Sequence, residues 1–330
     1  MLWILLLLIL SVAVTLLGAA LFTNGIEWFG KRLNVSEGAI GSVFAGVGTA
    51  LPETMIPIVA ILFGKRPESV DVGIGAIIGA PFMLSCLTLP LLGAGLLFFA
   101  FLKRRPPTFQ LDYYLVQQDL RYFLLSFSLA ILITIVPYPG LHYGLALLLF
   151  LIYLRYLKVI LSHGGHSGEE IDLLYFYRST NPPPHWVIFL QIGVGLGTII
   201  GGAHLFVEGV TDISKLLEVS PLILSLLITP IATELPEKFN SLIWIYKKKD
   251  TLAVGNITGA MVFQGTFPVA VGLIGSPWNL NHYATTSASL AILSSLVFYM
   301  FLRFQGHWKP ALLISGALFY LAYAVYITLY

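Results

Sequence analysis

Charge is scarce in this 330-residue chain: Asp, Glu, Lys and Arg make up 10% of it, against 57% apolar residues and a mean hydropathy of +0.87. No water-soluble domain of this length carries so apolar a surface, so the composition excludes one and leaves a polytopic integral membrane protein whose main partner is the lipid bilayer. Cysteine is nearly absent. A single Cys86, inside an apolar segment, excludes both a disulfide framework and a thiolate metal site. Also missing are a nucleophile paired with a base, a phosphate-binding loop and any cofactor motif, so neither an enzyme nor a resident cofactor is expected. No nucleic-acid partner is expected, and an oligomer is not required.

Long apolar runs, in contrast, are abundant. A helix needs about 20 apolar residues to cross the hydrocarbon core. That ruler predicts ten spans, near 2–23, 38–63, 71–101, 120–137, 140–160, 186–208, 220–246, 252–275, 284–302 and 310–329. The first lacks a basic leading segment and reads as a retained helix. Lys and Arg divide unevenly between alternate loops: fourteen, including Lys31, Lys103, Arg155 and the Lys247–Lys249 run, against Lys65, Arg66 and Lys215, with Lys238 left inside a span. Cytoplasmic loops carry the excess, which places both termini outside, in a bacterial plasma membrane. The Lys247–Lys249 run reads as an anchor to lipid headgroups.

Proline and acid, which membrane spans avoid, occur together twice, in "GVGTALPET" (46–54) and "PIATELPEK" (230–238). Shifting the sequence by 184 residues aligns 21–53 with 205–237 without a gap and matches eleven of 33 positions, including Lys, Ser, Gly and the terminal Pro-Glu. At an offset of 180, "VGIGAIIGA" (72–80) falls on 252–260. The chain therefore reads as two repeats, 1–160 and 186–330, joined by a cytoplasmic linker, 161–185, rich in glycine, charge and proline. Five spans per repeat make the two halves enter the membrane with opposite orientation.

A carboxylate inside a span costs several kcal/mol unless it is protonated, paired or facing a wet cavity. Pro52 and Pro236, by removing a backbone N–H, free carbonyl oxygen beside Glu53 and Glu237. Carbonyls, the Thr49 and Thr233 hydroxyls and these carboxylates form a hard-oxygen set suited to Na⁺, Ca²⁺ or a comparable cation. Glu234 lies one turn before Glu237 and adds a third acid. Asn256 and Gln264, on the eighth span, either join the site or hydrogen-bond between helices. His204 is expected to hydrogen-bond between helices or relay protons, and His163 with His166 in the linker gives only a weak metal signal.

"GTALPE" and "ATELPE", each followed by a Gly-rich span ("GAIIGA", "GNITGA"), resemble the two alpha repeats of the calcium/cation antiporter superfamily, particularly its prokaryotic sodium/calcium exchanger branch. The resemblance implies an all-α membrane fold of ten helices in two inverted five-helix repeats, with motifs at 46–84 and 230–264. It also implies alternating access around a midplane site, with the first and sixth helices sliding across the second, third, seventh and eighth. The family's G-T-S-x-P-E serine is Ala50 in one copy and Glu234 in the other. Its following Gly-Ser becomes Gly79-Ala80 and Gly259-Ala260, and its Asn or Asp becomes Leu84 and Gln264.

The expectation is therefore export of a divalent cation, Ca²⁺ first, in exchange for Na⁺ or H⁺, with Glu53, Glu237 and Glu234 as metal ligands. The alternatives are an antiporter for another cation or a non-transporting receptor or scaffold that binds a cation.

Overall fold

The computed structural model describes residues 2–32, 51–136, 138, 140–162, 172–177, 179 and 182–329, and for Pro52, Leu161, Leu235, Pro236, Glu237 and Asn240 the backbone alone. The described residues are helical apart from loops and one isolated bridge between Leu174 and Tyr177. In chain order the helices are α1 (Leu2–Arg32), α2 (Leu51–Leu62), α3 (Pro67–Met83), α4 (Leu89–Phe101), α5 (Tyr113–Leu132), α6 (Gly140–Ser162) and α7 (His185–Leu217). They continue with α8 (Pro221–Thr233), α9 (Leu235–Tyr246), α10 (Asp250–Gln264), α11 (Phe267–Gly275), α12 (His282–Gln305), α13 (Pro310–Ser315) and α14 (Ala317–Leu329).

Eight segments among the described residues are long and apolar enough to cross a membrane, α3 with α4 (through a π-helical segment, Leu84–Thr88), α10 with α11 and α13 with α14 each counting as one. The difference from the ten expected spans lies in the second and seventh. Residues 38–50 fall outside the described residues, and the seventh span divides at Glu234 into α8 and α9, each too short to cross alone. Pro236 accounts for the division: it cannot donate to the preceding turn, and proline is accommodated best at the start of a new helix. α1 and α7, at 31 and 33 residues, run about 45–50 Å at 1.5 Å per residue, well beyond a core of about 30 Å, so both tilt or project from it.

The helix contacts repeat under exchange of the two halves. α5 packs on α10 as α12 packs on α3; α6 packs on α11 as α13 packs on α4; α2 packs on α11 as α9 packs on α4. α1 crosses α7, its own counterpart, and the crossing is symmetric residue by residue. A Cβ on Gly18 would fall 2.7 Å from the Ile199 amide nitrogen, and one on Gly202, its partner at offset 184, 2.8 Å from that of Thr15. Thr15 is itself the counterpart of Ile199 at that offset. The symmetry extends to helix defects: the π-helical segment starts at Leu84, and α10 ends at Gln264, 180 residues later.

Burial sorts the helices into two kinds. α3 is buried along nearly its whole length, whereas α1, α6 and α14 turn outward residues such as Trp3, Ile9, Leu17, Leu147, Leu151, Leu318 and Val325. Large side chains exposed in this pattern face lipid, where their exposure carries no penalty. Polar contacts gather at the helix ends. Arg105 grips buried Asp250 through two 2.6 Å bonds and donates to the Ile245 carbonyl, tying the α4–α5 loop to the α9–α10 junction. Elsewhere Asn24 and Trp28 donate to the Asp172 carbonyl, Gln191 accepts from the Phe176 amide, and Arg32 donates to Pro183. The described part of the linker is thus fastened to both α1 and α7.

Candidate cation-binding site

Glu53 is the third described residue of α2. Glu53 is 5% exposed, and neither carboxylate oxygen accepts a hydrogen bond among the described residues. Thr233 at the end of α8 and Lys238 on α9 are the nearby groups that act on its charge. The first repeat's acid therefore points at the second repeat's break.

That break is centred on Glu234, which ends α8 and begins α9 with φ −85° and ψ 0°, the sparsely populated bridge region. Its side chain is 1% exposed and close enough to Glu53 for the two charges to interact. Lys238, one turn on and 6% exposed, places its ammonium 3.2 Å from Glu234 Oε2 and 3.4 Å from the Pro230 carbonyl. Thr233 is buried and donates to the Thr229 carbonyl at 3.0 Å. Further along the same face Thr229 and Ser225 share a 2.9 Å hydroxyl contact, and Ser225 donates to the Val72 carbonyl on α3 at 2.7 Å. Ser225, Thr229 and Thr233 recur every fourth residue, so one buried face of α8 carries a file of hydroxyls that ends at the carboxylates.

Close approach of α3 is what seats this file. Pro230 has no N–H for the Leu226 carbonyl, and that oxygen lies against Gly79, where a Cβ would fall 2.2 Å away. Any larger residue at 79 would push α8 off α3.

The remaining expected residues distribute as follows. Thr49 lies outside the described residues, as do the side chains of Pro52, Pro236 and Glu237; the backbone puts Glu237 third in α9, 184 residues after Glu53. Among the described residues no group of three His, Cys, Asp or Glu converges, and the described carboxylates of the site are Glu53 and Glu234. Gln264 is buried at the end of α10, with no hydrogen-bond partner for Oε1 among the described residues. Asn256 donates to Ser241 Oγ at 3.2 Å and so joins α10 to α9. His204 pairs with Glu208 at 3.4 Å on its own helix, beside a cavity of about 140 Å³ under the α2–α3 turn. His163 and His166 lie outside the described residues.

Two features escaped the sequence reading. Lys238 was only a basic residue inside a span, although its i, i+4 spacing to Glu234 was the signal for an ion pair. The hydroxyl file was hidden in an apolar run, because serine and threonine every fourth residue matter only once the facing helix is known.

The profile of the family described as sodium/calcium exchanger protein matches residues 3–161 and 187–330. The chain belongs to that family. Its relatives are exchangers and not enzymes, and this chain is a membrane antiporter of the sodium/calcium exchanger type. It is 27% identical over 293 residues to CaxA of Alkalimonas amylolytica, named as a candidate antiporter, covering 82% of this chain and 83% of that one. An uncharacterized membrane protein of Methanocaldococcus jannaschii is 27% identical over 322 residues, 93% of this chain and 96% of its own. Among solved structures, the H⁺/Ca²⁺ exchanger CAX superposes with a TM-score of 0.74 at 17% identity, covering 99% of this chain and 86% of that one. The sodium-calcium exchanger NCX_Mj superposes at 0.58 with 21% identity, each chain covered to 97%. At those identities the likeness is one of fold: an all-helical exchanger architecture.

Proposed function

We propose that this exchanger exports a divalent cation, Ca²⁺ first, against inward Na⁺ or H⁺, by alternating access around Glu53, Glu237 and the α8–α9 break. One observation carries the reading: Glu53 is buried, neither of its oxygens has a hydrogen-bond partner among the described residues, and Thr233 and Lys238 of the other repeat are the groups that act on its charge. A carboxylate so placed costs several kcal/mol with nothing bound, and a cation offsets that cost. Glu234 supplies a further oxygen, Thr49 and Thr233 contribute hydroxyl or carbonyl oxygen, and Gln264 offers its side-chain carbonyl. Asn256 acts in the α9–α10 contact.

The first repeat spans 1–160 and the second 186–330, with both termini outside a bacterial plasma membrane. α1 and α7, already joined through their glycine crossing and the linker, slide as one body over the buried helices. Ala50, Ala80, Ala260 and Leu84 replace the oxygen-bearing residues that sodium binding uses in the family, which favours H⁺ for at least part of the exchanged charge.

The test is ⁴⁵Ca²⁺ uptake into proteoliposomes loaded with sodium or with acid. Uptake driven by either gradient and lost in Glu53→Gln supports the reading; binding of Ca²⁺ without flux under any gradient identifies a non-transporting relative instead.

A further inference from the structure

The two Pro-Glu motifs differ in a paired way. At offset 184 the first repeat has Ala50 and Thr54 where the second has Glu234 and Lys238. The second repeat thus gains an acid and a base together, and they form an ion pair across the helix break, with 3.2 Å between Nζ and Oε2. Thr54 and Lys238 are both buried, at 2% and 6% exposure.

A structural salt bridge is a poor explanation of this pair. Exposed i, i+4 pairs contribute little, and a buried pair is often less stabilising than well-packed apolar residues of the same volume, because both charges must be desolvated. The surroundings are also those of a cation subsite. The ammonium lies between Glu234 Oε2 and the Pro230 carbonyl, near the break that Pro236 produces, and its charge reaches Glu53 as well. With Glu53, Glu234 and Glu237 all ionised, the one positive charge of Lys238 leaves a net charge of minus two, which one divalent cation neutralises.

We propose that Lys238 is a tethered cation: its ammonium fills a hard-oxygen subsite at the α8–α9 break that a mobile monovalent cation would otherwise occupy. The inference rests on the reading of this region as the cation site. It makes the exchanger bind one fewer monovalent ion per cycle than its carboxylates call for, and it assigns the Glu234–Lys238 pair a role in stoichiometry.

The test is equilibrium ²²Na⁺ binding to the purified full-length chain, without divalent cation, in the unmodified protein and in Lys238→Thr, which installs the first repeat's residue. The expected result is one additional Na⁺ bound per chain in Lys238→Thr, returning to the unmodified count when Glu234→Ala is added. An unchanged Na⁺ count in Lys238→Thr overturns the proposal. Lys238→Gln is the second variant, for which the same gain is expected and the same null result is decisive. A further readout is melting temperature against Na⁺, expected to rise more steeply in either variant than in the unmodified protein. ⁴⁵Ca²⁺ binding to the unmodified protein separates the two readings: its absence together with a gained Na⁺ removes the divalent cargo and leaves the tethered cation standing.

Discussion

Gly18 and Ile199 meet backbone to backbone, and Gly202 meets Thr15 in the same way across the pseudo-two-fold axis, so the two longest helices are locked at their crossing by the absence of side chains. Gly202→Val would put a Cβ 2.3 Å from Thr15 Oγ1 and 2.8 Å from its amide nitrogen. Overpacking of this kind costs about 1–3 kcal/mol. A lower melting temperature and reduced flux are expected, and an unchanged melting temperature would show that α1 and α7 separate freely.

Removing the charge of Glu53 acts in opposite directions on stability and transport. Glu53→Gln relieves a buried carboxylate with no hydrogen-bond partner among the described residues, so its melting temperature without divalent cation is expected to equal or exceed that of the unmodified protein. Ligand binding at a hundred times Kd stabilises a protein by about 2.7 kcal/mol. Ca²⁺ should therefore raise the melting temperature of the unmodified protein and leave Glu53→Gln unmoved. An equal Ca²⁺ shift in both would remove Glu53 from the site.

Arg105 and Asp250 form a pair of another kind, fully buried and bidentate, with Gln110 N donating to Asp250 as well at 2.8 Å. Arg105→Met strands the carboxylate and is expected to cost about 3–5 kcal/mol, much of it recovered when Asp250→Asn is added. Thermal or denaturant unfolding of the single and double variants measures this. A single variant as stable as the parent would contradict the geometry.

Arg66 pairs with Asp212, and Glu68 with Lys215 at 3.0 Å, across the turn between α2 and α3 and the end of α7. These groups are partly exposed, and exposed pairs contribute little to stability. If α7 slides over α2 and α3, both pairs must part in each cycle. Arg66→Ala is then expected to leave the melting temperature within measurement error while changing turnover and its dependence on salt. A variant with parental turnover at every ionic strength would place the moving surface elsewhere.

Much of this arrangement was legible in the residues. The 184-residue repeat is mirrored in the symmetric crossing of α1 and α7, and the 180-residue offset in the positions of Leu84 and Gln264, because a repeat copies its packing along with its sequence. Apolar length marks 220–246 as one span, and the structure divides it at Glu234 into α8 and α9, beside the Pro236 that the sequence marks as a helix breaker. The Arg105–Asp250 clasp was out of reach, since its partners are 145 residues apart and only the fold brings them together. Lys238 was within reach by spacing, yet a lysine in an apolar span reads as a boundary error until Glu234 is known to be buried beside it.

The most direct measurement is ⁴⁵Ca²⁺ flux in proteoliposomes carrying the unmodified protein or Glu53→Gln, under an outward sodium or proton gradient. Gradient-driven uptake by the unmodified protein, lost in Glu53→Gln at unchanged reconstitution, is the predicted result. Uptake that persists in Glu53→Gln would contradict a transport site built on this carboxylate.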